Sequence, residues 1–256
     1  MVYAIIQARM GSSRLPGKSM IKILNKPLIW YVLSRTSLSK RVDKVILATT
    51  LNKEDDELAN YAAENGFLVY RGSEKDVLSR YFLAYSNFCT KNVTQDAIVR
   101  ITGDCPLIDP KLIDKVIIKY LTGKYDYVAL SQDFAEGLDV EIFSSSMLEF
   151  AHKEAKLDSE REHVAQFFHN NKHLYKMHRL ESPSDDSKYR ITVDELEDLN
   201  VIKAIVEYFD ANKIDLDFPN IKNFLQTNQE IWKQNSHIIR NEGLLISLKN
   251  ESKNVQ

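Results

Sequence analysis

The chain has only two cysteines in 256 residues, Cys89 and Cys105, and neither lies in a CxxC pair. That excludes a disulfide framework and a four-thiolate metal site, and both read as reduced thiols of a cytoplasmic protein. Proline and glycine are sparse, at 6 and 8 residues. No Pro/Gly-rich linker, internal repeat or low-complexity block divides the sequence. No apolar run approaches the ~20 residues that cross a bilayer. The first residues lack a basic n-region and a long apolar stretch, so they do not read as a signal peptide. Neither charge sign dominates: 34 Lys and Arg stand against 36 Asp and Glu, a net charge of −2. A protein that holds nucleic acid mainly by bulk charge is thereby excluded. The expectation is a partner that arrives in solution, with no membrane and no nucleic acid.

With 44% hydrophobic and 27% charged residues, the composition is that of a globular chain able to bury a sizeable core. Through residue 130, short apolar runs alternate with helical patterns. Strands are predicted at 2–8, 44–50, 67–71, 97–101 and 127–130. Helices are predicted at 27–39, 54–65 (stopped by Gly66), 75–88 and 110–121. This alternation of buried-type strands with helices predicts an α/β fold with a mostly parallel sheet covered on both faces. The second half reads as an elaboration: a half-exposed strand at 138–143, helices at 145–156 and 160–170, strands at 174–180 and 189–193, and an amphipathic helix at 195–210. Residues 181–188 and the polar tail from Asn250 read as loose. The division expected is an α/β domain over 1–215 and a helical extension over 216–256.

The loop after the first strand, QARMGSSRLPGKS, carries Arg9, Arg14 and Lys18 and no acid. Ligands of open α/β sheets bind beyond the carboxyl ends of the strands, where this loop would sit. Glycines such as Gly11 allow close backbone approach, amides turn toward oxyanions, and three cations neutralise a polyphosphate. The alternative is a solvated basic loop. The pattern nearly matches GxxxxGK[ST], but five residues separate Gly11 from Gly17 and Pro16 removes an amide donor, which argues against a P-loop.

IIQARMGSSRLPGK resembles the signature of cytidylyltransferases of the spore-coat polysaccharide biosynthesis F type. These are relatives of the enzymes that make CMP-activated sugar acids, including 3-deoxy-manno-octulosonate and sialic acid cytidylyltransferases. PLIWYVLSR, VILATTLNKEDD, VYRGSEKDVLSRY, VRITGDCPLIDP and GLDVEIFS follow in the same order. EREHV and ITVDELEDL match more loosely. The resemblance implies a Rossmann-like sheet of the nucleotide-diphospho-sugar transferase type. It also implies CMP transfer from CTP to an acidic sugar or related acceptor, Mg²⁺ as cofactor, and a homodimer.

The remaining site residues follow from position and resemblance. Asp104, after Gly103 at the end of the fourth strand, would face the basic loop; alone it reads as an N-cap or turn residue. Asp194 precedes a helix and alone reads as an N-cap. The resemblance makes Asp104 and Asp194 the pair that holds Mg²⁺, although Glu195-Leu196 stands where relatives often have Thr-Pro. Arg14 and Lys18 are assigned to the β- and γ-phosphates and Arg9 to the α-phosphate, with Ala8 and Gly11 in the same loop. Arg71, Gly72, Ser73 and Arg80 are assigned to the base and ribose by resemblance. Asp139 and Glu141, two apart on one predicted strand face, are assigned to the acceptor pocket or outer metal shell, and Arg161 and His163 to the acceptor; solvated faces are the alternative for each pair. The other histidines show no metal-ligand spacing, so zinc is not expected. A glycosyltransferase using a nucleotide sugar is the competing activity, but no Asp-x-Asp ends a mid-chain strand; the acid spacings at Asp139/Glu141 and Asp215/Asp217 fall elsewhere.

Overall fold

The structure is a computed structural model describing residues 1–89 and 96–254. Its main sheet has strands β1 (Val2–Gln7), β4 (Lys44–Thr50), β5 (Leu68–Gly72), β6 (Ala97–Thr102), β7 (Tyr127–Leu130), β8 (Glu141–Ser144) and β9 (Met177–Leu180). β2 (Lys22–Ile23) and β3 (Lys26–Pro27) form a separate small hairpin. The strand order is β5-β4-β1-β6-β8-β7-β9. β8 runs antiparallel to both neighbours, and the other adjacent strands pair in parallel.

Successive residues of β1 feed opposite faces, as the period of a strand requires. Val2, Ala4 and Ile6 join a core with α1 (Leu28–Ser37), α2 (Asp56–Glu64), α4 (Pro110–Gly123) and α8 (Leu196–Asn212). Tyr3 and Ile5 join a second core with α3 (Val77–Phe88), α5 (Ser145–Glu154) and α7 (Ala165–Asn170). A sheet buried on both faces explains why its strands read as continuous apolar runs. Gly66, at φ +82°, ends α2 in the left-handed region that suits glycine. The second half continues with α6 (Asp158–Glu162), α9 (Phe218–Thr227), α10 (Gln229–Trp232) and α11 (Glu242–Asn254). Phe218, Ile221 and Phe224 of α9 share the core of α8.

Five sequence expectations change. The strand expected at 138–143 begins at Glu141, with Leu138 and Val140 buried ahead of it. Residues 189–193 form no strand; Arg190 makes one isolated parallel bridge to Glu136. The helix expected at 160–170 is two helices, broken at Val164, whose φ of 36° no α-helix accommodates. Residues 181–188 are anchored: Asp186 is buried, pairs with Lys222 at 2.6 Å and donates its amide to the Asp133 carbonyl. The tail from Asn250 is helical through Asn254, and its last two residues lie outside those described.

Candidate active site

β1 and β6 are adjacent and parallel, so both chain reversals after them open at the same edge of the sheet. Their ends approach closely. A Cβ at Gly103 would stand 2.6 Å from the Ala8 Cβ and 2.8 Å from the Gln7 carbonyl, which only glycine avoids. The loop after β1 is fixed from below. The Met10 amide donates to the buried Asp55 carboxylate at 2.6 Å, and the Gly17 amide closes the loop onto the Met10 carbonyl at 2.9 Å. Gly17 takes φ +72° and starts one 3₁₀ turn, Lys18–Met20, rather than the long helix that follows a P-loop.

That turn carries Lys18 into the opening. Its ammonium donates to the Val193 carbonyl at 2.6 Å and to Asp194 Oδ1 at 2.9 Å, and lies 3.5 Å from Asp104 Oδ2. The distant Asp194 is brought in by backbone contacts. The Val193 amide and the Thr192 hydroxyl both donate to the Asp104 carbonyl, at 2.8 and 3.0 Å. Burial opposes the charge on both Lys18 and Asp194, but their partners outweigh it. Asp104 and Asp194 raise the lysine above its ordinary value, and Lys18, Arg14 and Arg190 hold Asp194 below the usual carboxylate range.

Two adjoining cavities meet here. The larger, about 780 Å³, is bordered by the loop residues Ala8, Arg9, Arg14 and Lys18, by Arg80, and by Gly103 and Asp104. The smaller, about 420 Å³, lies beyond Asp104 and is bordered by Arg100, Asp139, Glu141, Arg179 and Asp194. Gln7, Arg14, Thr102, Asp104 and His163 border both. The Gln7 Oε1 is buried there without a hydrogen-bond partner among the described residues.

The sequence-predicted residues thus divide. Arg9 faces Glu74 across the larger cavity at 2.9 Å. Arg14 bridges Asp194, Glu195 and Glu242 at 3.2, 3.3 and 3.0 Å. Arg80 is buried and donates to the Ser73 and Glu74 carbonyls, so it shapes the wall of the cleft. Arg71, Gly72 and Ser73 do not border either cavity. Arg71 turns away to Asp56 at 2.6 Å and to the Thr50 and Asn52 carbonyls, because the end of β5 lies against α2. Gly11 also lies off the cavities; a Cβ there would meet Glu54. Arg161, expected at the acceptor, borders only the larger cavity, held by the Ala155 carbonyl at 2.7 Å and by Asp76 at 3.4 Å. His163 borders both, but burial holds its imidazole below the usual range, so it offers a neutral ring. Asp139 and Glu141 both border the smaller cavity. Asp139 precedes β8 and pairs with Arg240 at 2.9 Å, and Glu141 pairs with Arg100 at 2.8 Å.

Three residues escaped the sequence reading. Arg190, with its side chain only 5% exposed, bonds Glu136, Asp194 and Asp198, and so orients Asp194. Arg179 lies in the row Arg100–Glu141–Ala129–Arg179 across four strands. Directly paired residues share a sheet face. Arg100 and Glu141 neutralise each other, Ala129 leaves room, and Arg179 has no carboxylate partner among the described residues. Arg240 carries the C-terminal segment to the smaller cavity. Strand-row register and late-chain docking leave no local motif; a run of alternation around Arg179 was the only available signal.

The chain matches the cytidylyltransferase family model over residues 3–243. It is 37% identical over 239 residues to an uncharacterised protein of Methanocaldococcus jannaschii, covering 93% of this chain and 95% of that one. It is 33% identical over 210 residues to the spore coat polysaccharide biosynthesis protein SpsF of Bacillus subtilis, covering 79% and 85%. A solved structure of a cytidylyltransferase from Leptospira borgpetersenii shares 35% identity and superposes with a TM-score of 0.83, over 93% of this chain and 99% of that chain. Fold, signature loop and family match agree: the chain belongs to the cytidylyltransferase family, a CTP-dependent group of nucleotidyltransferases.

Proposed function

We propose that this chain transfers CMP from CTP to an acidic sugar or related acceptor, releasing pyrophosphate, in surface polysaccharide or glycan biosynthesis. The observation that carries the reading is the convergence of Lys18, Asp104 and Asp194 where the two cavities meet. The larger cavity would take the nucleotide and the smaller one the acceptor. An acceptor oxygen then attacks the α-phosphorus in line, and the protein's part is positioning and charge neutralisation. Arg9, Arg14 and Lys18 bring three cations to the phosphates. Arg179 offers the acceptor's acid group a guanidinium with no carboxylate partner among the described residues. Cys105, the thiol bordering the smaller cavity, is buried and its pKa is pushed well up, which removes it as a nucleophile.

The residues fit a divalent cation. Two carboxylates from distant segments meet at one positively charged point, and hard oxygen donors are what Mg²⁺ prefers. Among the described residues no group of three or more potential ligands converges, so phosphate and water would complete the shell. Asp104 and Asp194 would hold the ion. When bound, it supplies Lewis acidity and charge neutralisation at the phosphate.

The test is a pyrophosphate-release screen of each nucleoside triphosphate with Mg²⁺ against acidic sugars and phosphorylated acceptors. CTP with at least one acid acceptor should release pyrophosphate. Release of a nucleoside diphosphate from a nucleotide sugar instead would turn the assignment to glycosyl transfer, and silence across the panel would reject it.

A further inference from the structure

The family match ends at residue 243, one residue after α11 begins, yet α11 and the residues before it are tied to the site. Arg240 donates to the Gln132 and Phe134 carbonyls, both at 2.8 Å, and pairs with Asp139. Asn241, at φ +55°, turns the chain and gives its amide to Glu136 at 3.1 Å. Glu242 then reaches Arg14 at 3.0 Å. Farther along α11, Ser247 bonds His163 at 3.0 Å, and Glu251 takes the Ser159 amide and hydroxyl at 3.2 and 2.8 Å. The attachment is polar. Leu245 and Ile246 remain 53% and 54% exposed, and although Leu244 and Leu248 are half-buried, no described residue of α11 joins either hydrophobic core, so its docking is cheaper to undo than that of the core helices.

Of the three carboxylates on Arg14, Asp194 and Glu195 belong to the segment leading into α8, while Glu242 comes from this polar strap. A triphosphate that engages Arg14 would carry its oxyanions to the place of the Glu242 carboxylate, and like charges at that separation repel. Building on the proposed function, we infer that Glu242 stands in for a phosphate on Arg14, and that α11 is an autoinhibitory strap that triphosphate binding releases. Both halves of the exchange are single charge-assisted contacts to one guanidinium, so the competition is direct and depends on salt. It weakens CTP binding by the worth of a partly exposed ion pair, and it links nucleotide occupancy to the position of the chain that walls the smaller cavity.

The experiment uses the full chain without acceptor. CTP with Mg²⁺ is titrated against the parent and Glu242→Gln at low salt and in about 0.5 M salt, and hydrogen exchange of α11 in the parent is followed with and without CTP. Glu242→Gln should bind CTP about two- to fivefold tighter at low salt, and the gain should shrink at high salt. Amides of α11 should exchange faster once CTP is bound. Equal or weaker binding by Glu242→Gln, or α11 protection that rises with CTP, overturns the strap. A parent that binds no CTP rejects the proposed function itself, an outcome distinct from a parent that binds CTP with α11 unmoved.

Discussion

Lys18 ties the loop after β1 to the segment before α8 at the point where the proposed chemistry would occur. Its ammonium separates two carboxylates that would otherwise repel, and it faces the cavity assigned to the phosphates. Lys18→Ala and Asp104→Ala should each lower CTP-dependent pyrophosphate release by roughly 10²-fold or more, the scale of one strong electrostatic donor; steady-state kinetics at saturating CTP checks this. Asp194 adds a pH signature. Its folded pKa lies below the ordinary value of 3.8, so its contribution to stability is full above that value and is lost as pH falls through the folded one. Lys18 works in the opposite window: its contribution is lost as pH rises through a folded pKa above 10.5. Thermal melts of Asp194→Asn should therefore fall less steeply than the parent's between about pH 5 and 2, while starting from a lower Tm at neutral pH. Lys18 and Asp104 were legible as residue types in a loop and after a strand. Asp194 was not separable from an N-cap by its neighbours alone, because its role depends on a carbonyl 88 positions from Thr192.

The turn between Tyr189 and α8 shows how an irregular segment can outrank a strand. Arg190 binds three carboxylates from Glu136, Asp194 and Asp198 in a buried setting. Removing it leaves buried anions uncompensated, so Arg190→Ala should cost about 3–5 kcal/mol, read by urea denaturation, with activity falling as Asp194 loses its orientation. The parallel strands of the first half were legible because burial on both faces writes continuous apolar runs. The apolar alternation of 189–193 predicts a strand, but those side chains are buried beside a polar hub and not in a ladder. β9 reads as a short strand, yet the importance of Arg179 comes from its register with Ala129. Arg179→Gln should raise the KM for an acid acceptor about tenfold, the lower end for a hydrogen bond to a charged group, and leave the KM for CTP within about twofold.

Over the whole molecule, the two halves of the chain share both cores and the central sheet, and they also converge at the site's edge of that sheet. The α/β class and the basic loop followed from local patterns. The division of labour between two cavities did not, since the wall of the smaller one is assembled from β6 to β9 and residues 240–244. Lys18 already pairs with both carboxylates, so folding should not require a divalent ion. Chelation should abolish pyrophosphate release while shifting the Tm by no more than a few degrees, as paired activity and melting measurements would show; a collapse of the Tm would mean the ion is structural.

The latch of Thr192 and Val193 onto the Asp104 carbonyl has a consequence for synthesis on the ribosome. A nascent chain can complete β1, β4, β5 and β6 and display the whole basic loop long before Asp194 emerges. During that interval it holds only one of the two carboxylates, so on the proposed function turnover would begin only when the late segment is threaded back beside the early one.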